Sequence, residues 1–257
     1  MVCQKPGIDA NLYQTPDSFE GRTAEETIDW ALGTFGRRAA VCTSFQAEGM
    51  VILDLACRVD SRVRVFTIDT GRLPPETYEL IDRVRERYGI EVEVFCPDQN
   101  ELSQMVTRYG INPFYRSVSL RLLRCEVRKV NPLNRALSNL DAWITGLRRS
   151  QSQTRESLSR VEVDCDHGNI LKVNPLADWS DERVWEYIRA HDLPYNRLYD
   201  QGFTSIGCAP CTRAVTPGED ERAGRWWWET GMPKECGIHL KLRRDTEESI
   251  ISSPSTH

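Results

Sequence analysis

In the stretch Lys234-Glu235-Cys236-Gly237-Ile238-His239, a thiol sits between a carboxylate and a glycine, with an imidazole three residues on. A cysteine becomes a nucleophile at neutral pH only when cationic or histidine neighbours lower its pKa. His239, with an arginine brought in by folding, would supply that to Cys236. Cys208-Ala209-Pro210-Cys211 is a different arrangement, two thiols presented across a tight proline turn. Such a pair serves as metal ligands or as a redox dithiol. Cys125, in a basic stretch, offers a third ligand. Cys3, Cys42, Cys57, Cys96 and Cys165 read as buried small hydrophobes or incidental thiols. A cysteine that can react, apart from a set that can bind metal, points to redox chemistry on a small substrate.

Three further segments suit an anionic nucleotide. Thr145 to Ser152, followed by Arg155, places the guanidiniums of Arg148, Arg149 and Arg155 and several hydroxyls just after a strand-like run. Arginine forks grip phosphate or sulfate oxygens bidentately. Ser44-Phe45-Gln46-Ala47-Glu48-Gly49 and Phe66-Thr67-Ile68-Asp69-Thr70-Gly71 each close a strand with hydroxyls and small residues. The first suits a phosphate or sulfate, and the second a base or ribose; ordinary turn chemistry is the plain alternative for both. Arg222 and Arg225 precede Trp226-Trp227-Trp228, a run that packs over the sheet or shields a metal site.

The elements that must position these residues alternate. The spacing predicts a helix from Thr23 to about Leu32, a strand at 39–44, a helix from Met50 to Cys57 and a strand from Arg62 to Ile68. A helix opened by Pro74-Pro75 follows, with a stripe of Thr77, Leu80, Ile81, Val84 and Tyr88. A strand from Glu91 to Phe95 and a helix from Glu101 to Tyr109 come next. Such alternation predicts an α/β fold, doubly wound with a mainly parallel sheet. Ala142 to Thr145 is a later strand, and 161–163 with 170–173 read as a hairpin. Ser180 is placed to cap a helix from Asp181 to His191.

The organisation expected is a loose lead-in over 1–20, a nucleotide-binding domain over 21–206, a cysteine-bearing redox segment over 207–245 and a tail over 246–257. Among 257 residues no apolar run approaches a membrane span, and no signal core opens the chain. Nine cysteines, an odd count, do not read as a secreted disulfide framework, so a reducing cytoplasm is expected. A net charge of −5 argues against a nucleic-acid binder.

Taken together the motifs resemble the assimilatory sulfonucleotide reductases, in their adenylyl-sulfate (APS) branch. The resemblance runs from about Ala39 to His239. Beside the turns at 44–49 and 66–74, it rests on Cys125-Glu126-Val127-Arg128-Lys129-Val130-Asn131-Pro132-Leu133, Thr145-Gly146-Leu147-Arg148-Arg149, Gly207-Cys208-Ala209-Pro210-Cys211 and Glu235-Cys236-Gly237-Ile238-His239. It implies an adenine-nucleotide alpha-hydrolase-like fold. It implies that Cys236, on a C-terminal segment, attacks the sulfur of APS to release AMP, and that thioredoxin then frees sulfite from the S-sulfocysteine. It assigns nucleotide contacts to Ser44, Phe45, Gln46, Thr67 and Asp69. It places Lys129, Arg148, Arg155, Arg222, Arg225 and His239 around sulfate and phosphate.

The resemblance also implies a 4Fe–4S cluster held by two adjacent cysteines and the later Cys-x-x-Cys. Here Arg124 stands at the first of these positions, leaving Cys125, Cys208 and Cys211. Three outcomes are open: a cluster with an open or non-cysteine fourth site, a labile cluster that degrades, or none; retention of Cys208, Cys211 and the tryptophan run favours a cluster. A phosphoadenylyl-sulfate (PAPS) reductase is the nearest rival, argued for by Arg124 and against by the three cysteines. A tRNA sulfurtransferase would need a Ser-Gly-Gly loop that Ser44-Phe45-Gln46 does not provide. A non-catalytic, nucleotide-binding iron–sulfur redox sensor is the remaining alternative. A homo-oligomer is compatible with the sequence.

Overall fold

Short runs rich in Val, Ile, Phe and Ala, with few charges, suit strands buried on both faces, and that is how the chain uses them. The computed structural model describes residues 16–229. Its strands are β1 (Ala39–Cys42), β2 (Val65–Ile68), β3 (Val92–Phe95), β4 (Ala142–Ile144), β5 (Val161–Asp164) and β6 (Ile170–Val173). They form one sheet in the order β3-β2-β1-β4-β6-β5. Every neighbouring pair is parallel except β5–β6, the antiparallel hairpin at one edge. The doubly wound α/β expectation therefore holds.

Alternate strand residues enter two cores. Val41, Val65, Ile144 and Val173 pack with Ile28, Val51, Leu80 and Val184 on one face. Ala40, Phe66, Trp143 and Ile170 pack with Leu133 and Leu137 on the other. This is the period-two alternation of a strand whose two sides are both covered by helices. The first face is covered by α1 (Ala24–Phe35), α2 (Ala47–Val59), α3 (Pro75–Tyr88) and α7 (Asp181–Ala190). Thr23 and Glu26 close a reciprocal capping box on α1, and Ser180 caps α7 as its position predicted. Within the expected lead-in, Pro16–Phe19 form a 3-10 turn, and Phe19 is buried with its ring centroid 4.3 Å from that of Trp30.

Two local differences bear on the site. The first strand ends at Cys42 and α2 begins at Ala47, one turn earlier than its periodicity suggests. Phe45 reverses the chain between them at φ 57°, a left-handed conformation held by complete burial of its ring. Glu48 thereby lies in the first turn of α2.

Beyond α4 (Gln99–Tyr109) runs a helical stretch made of α5 (Val118–Cys125), a π turn (Glu126–Val130) and α6 (Asn131–Leu137). Its inward positions include Arg121, Arg124, Cys125 and Arg128, all buried and spaced i, i+3, i+4, i+7. The stripe has helical spacing, but arginines occupy it.

Candidate active site

Because β1, β2 and β4 are parallel, their C-terminal loops open on one side of the sheet, where ligands bind in such folds. A cavity of about 490 Å³ lies there. It is lined by the loop after β1, the end of β2, the 145–151 segment and the 202–207 loop. Thr43 Oγ1 accepts from the Phe45 N–H at 3.0 Å, and the Tyr199 hydroxyl accepts from the Ala47 N–H at 3.1 Å. Gln46 Oε1 accepts from the Ile206 N–H at 2.8 Å, tying the 202–207 loop to the start of α2. Gly146 is required because a Cβ there would lie 2.9 Å from that of Glu48.

Of the expected nucleotide residues, Ser44, Gln46 and Thr67 line this cavity. The Phe45 side chain is in the core instead, and its contribution is to the backbone turn. Asp69 also turns away from the cavity wall. Its Oδ1 accepts from the Gly71 N–H at 2.7 Å and the Tyr78 hydroxyl at 2.8 Å, so the carboxylate holds the β2–α3 turn.

The expected cations Lys129, Arg148, Arg155, Arg222 and Arg225 all reach the cavity, from separate stretches of the chain. Arg148 differs from the rest in how it is held. Its Nε and Nη2 donate to Glu48 Oε1 at 3.0 and 2.8 Å, and Nη2 donates to Asp181 Oδ1 at 3.1 Å. Its Nη1 donates to Ser150 Oγ at 2.8 Å and the Trp179 carbonyl at 3.3 Å. Five hydrogen bonds match the five guanidinium N–H groups. In this geometry the Arg148 donors are all engaged within the protein, two of them bridging Glu48 and Asp181 at the cavity wall. Arg225 is buried, donates to Ser205 Oγ at 3.1 Å and stacks 4.7 Å from the Trp226 ring centroid. It passes so close to Gly207 that a Cβ there would meet Nη2 at 2.3 Å.

Sequence reasoning did not assign Glu48, Asp181 and Glu221 to the cavity. Burial raises the pKa of Asp181 and Glu221, and the Glu48 carboxylate adds to both shifts. Nothing in the local sequence links residues 48, 181 and 221.

The cysteine centre lies behind the cavity, bordered by Gly207, Lys129 and Arg225. Cys208 and Cys211 are joined by a 3-10 turn and buried with Phe114 and Trp226; Trp228 packs against them. The tryptophan run therefore covers the thiols and does not lie over the sheet, while Trp227 is 40% exposed. Thr70, also unassigned by the sequence, has its Oγ1 3.2 Å from Cys208 Sγ. Arg124 Nη1 donates to Cys211 Sγ at 3.6 Å, and its guanidinium stacks 4.7 Å from the Phe114 ring centroid. Burial opposes ionisation of Cys208, but the charges of Lys129 and Arg124 and the Thr70 contact outweigh it and bring the thiol down to about 7. For Cys211 burial wins and the pKa rises. Burial alone pushes Cys42 up to about 12. Cys96 and Cys165 are exposed. Cys236 and His239 lie outside the described residues.

Residues 38–214 match the family model of the phosphoadenosine phosphosulfate reductase domain. The chain belongs to that reductase family. An adenosine 5'-phosphosulfate reductase of Allochromatium vinosum is 53% identical over 215 residues, covering 84% of this chain and 81% of that one. One from Burkholderia cepacia is 49% identical, covering 84% and 87%. The crystal structure of phosphoadenylyl-sulfate (PAPS) reductase from Candida auris superposes with a TM-score of 0.68 at 28% identity, covering 81% of this chain and 98% of that one. Structures of Candida glabrata FMN adenylyltransferase, at 14% identity and a TM-score of 0.53, share the fold.

Among the described residues no group of three or more His, Cys, Asp and Glu side chains is arranged to hold a metal ion. Cys125 is buried at the end of α5, and the adjacent residue contributes a guanidinium instead of a fourth thiol. A guanidinium has no lone pair to donate and stays charged. A 4Fe–4S cluster ligated by four cysteines does not fit these residues.

Proposed function

We propose that this chain reduces adenylyl sulfate to sulfite and AMP through Cys236. The observation that supports this best is the convergence of Lys129, Arg155, Arg222 and Arg225 on a nucleotide-sized cavity at the strand ends, in a chain of this family. The Cys236 thiolate attacks the sulfur of APS. The S–Cys236 bond forms as the bond from sulfur to the phosphate's bridging oxygen breaks, and AMP leaves with that electron pair. Cationic side chains favour the thiolate and stabilise the departing phosphate. A thioredoxin thiolate then attacks the Cys236 sulfur and expels sulfite. The second thioredoxin thiol resolves the mixed disulfide, so thioredoxin is oxidised as the sulfonate sulfur is reduced. His239 assists Cys236 in the first step.

Ser44, Gln46 and Thr67 hold the nucleotide, with Phe45 and Asp69 acting through the turns they fix. Arg148 keeps Glu48 and Asp181 in place at the cavity wall. We place the nucleotide-binding domain at 21–206 and the redox segment at 207–245, with the thioredoxin-facing chemistry in the latter. No helix among the described residues is long and apolar enough to cross a membrane. A thiol nucleophile and a dithiol donor require a reducing compartment, which favours the cytoplasm.

APS is favoured over PAPS because the curated relatives at 49–53% identity are APS reductases. Glu48, Asp181 and Glu221 in the cavity also oppose a further phosphate. The test is intact-protein mass spectrometry after incubation with APS and no thioredoxin. One added SO3 group on Cys236, removed by thioredoxin, is expected. Cys236→Ser should retain AMP binding and lose both adduct and sulfite. Sulfite release from Cys236→Ser at the wild-type rate would exclude this mechanism.

A further inference from the structure

We infer that Arg124 occupies the fourth corner of the cysteine centre and that this chain carries out its reduction without an iron–sulfur cluster. The inference rests on the reading of the chain as a sulfonucleotide reductase and concerns how its thiol centre is held together.

The Arg124 side chain is 1% exposed and points among the thiols. One edge contacts Cys211 Sγ at 3.6 Å, and one face lies on the Phe114 ring. The guanidinium is thus packed against the sulfur that a cluster would ligate. Exchanging a thiolate for a guanidinium also changes the local formal charge by two units toward positive. Arg121, Arg128 and Arg225 are buried on the surrounding elements, and Lys129 acts on Cys208 from the cavity side. An iron at that corner would lack a thiolate, and the guanidinium that fills the space has no lone pair to replace it. The missing donor and the occupied corner both disfavour assembly.

The same side chain can replace a cluster's mechanical role. A cluster ligated from both segments would tie α5 to the 208–211 turn. Here the link is made by the Arg124–Cys211 contact, the stacking on Phe114, the Tyr115 hydroxyl donating to the Pro210 carbonyl at 3.1 Å, and the Ala209 N–H donating to the Arg72 carbonyl at 2.8 Å. Thr70, from the β2 loop, closes the other side at Cys208. The turn is anchored to three segments without metal.

The test is iron and acid-labile sulfide per chain in full-length protein purified without oxygen, beside sulfite release from APS in the same preparation. Less than one iron per chain, with sulfite release unchanged by a chelator and by air, is expected. A ratio near four irons with matching sulfide would overturn the inference. So would iron-free protein that turns over only after reconstitution with iron and sulfide. Arg124→Cys should gain iron under that reconstitution while still binding AMP, which verifies its fold. If that folded variant stayed as iron-free as the wild type, Arg124 would not be what excludes the cluster. Iron content reads this inference and the Cys236 adduct reads the proposed reaction, so either can fail separately.

Discussion

Arg148 shows how one residue type takes different roles within one cavity. It is 2% exposed and bound to two carboxylates, whereas Arg155 and Arg222 are half-buried where they reach the cavity. Removing one partner from a buried ion pair leaves the others uncompensated, at about 3 kcal/mol or more. Arg148→Ala should lower unfolding stability by about 3 kcal/mol in urea titrations. Arg148→Lys should recover little, because an ammonium cannot reproduce the planar fork. The carboxylates give a pH dependence. Asp181 and Glu221 are held above the ordinary carboxylate range by burial and by neighbouring acids. In the folded chain they keep protons that the unfolded chain has released. The stability this contributes is complete below their ordinary pKa and is lost as pH rises through the raised values. Protonation also removes negative charge from the cavity. Glu221→Gln should therefore tighten AMP binding where Glu221 is ionised, and the gain over wild type should shrink as pH falls. Calorimetric titrations at several pH values check this, and a constant gain would show that Glu221 does not act through its charge.

At the scale of elements, the π turn at 126–130 sets the orientation of the residues on either side. Single π turns inside helices recur at functional sites. Here the turn allows Arg124 to face the thiols while Lys129 faces the cavity. Inserting an alanine after Glu126 should rotate one side of the helix by about 100° relative to the other. Sulfite release should fall about 100-fold or more, as expected when reacting groups are displaced by an ångström or so. Circular dichroism should show the helix retained. Full activity would mean that the turn does not set the register.

At the scale of the whole molecule, the cavity is assembled from chain segments spread between residues 42 and 225, and the 202–207 loop closes it by the Gln46–Ile206 hydrogen bond. A nucleotide bound there bridges segments far apart in sequence. AMP at about 100 times its Kd should raise unfolding free energy by about 2.7 kcal/mol. Hydrogen exchange should slow together at 43–49 and 202–207. Protection confined to one segment would place the nucleotide elsewhere.

Much of this was legible in the chain itself. Alternating apolar runs and helical stripes specify parallel strands, because burial on two faces requires nearly continuous apolar residues. Ser180 and the Pro74-Pro75 pair mark helix starts through local hydrogen bonding and fixed φ. Cys208, Cys211, Lys129 and Arg225 are conspicuous by residue type, and the arginine standing where the resemblance expects a cysteine, Arg124, is visible in one letter. The tertiary structure alone decided what is non-local. Helix α5 was hidden because arginines fill its inward stripe, and only packing against Cys211, Phe114 and Trp226 makes those positions interior. Glu48, Asp181 and Glu221 become one acidic wall only when three distant segments meet. The guanidinium of Arg124 reaches the thiols only because α5 and the 208–211 turn are held against each other. Sequence spacing governs what neighbours along the chain can do; the charges a side chain meets depend on elements brought together by burying apolar surface elsewhere.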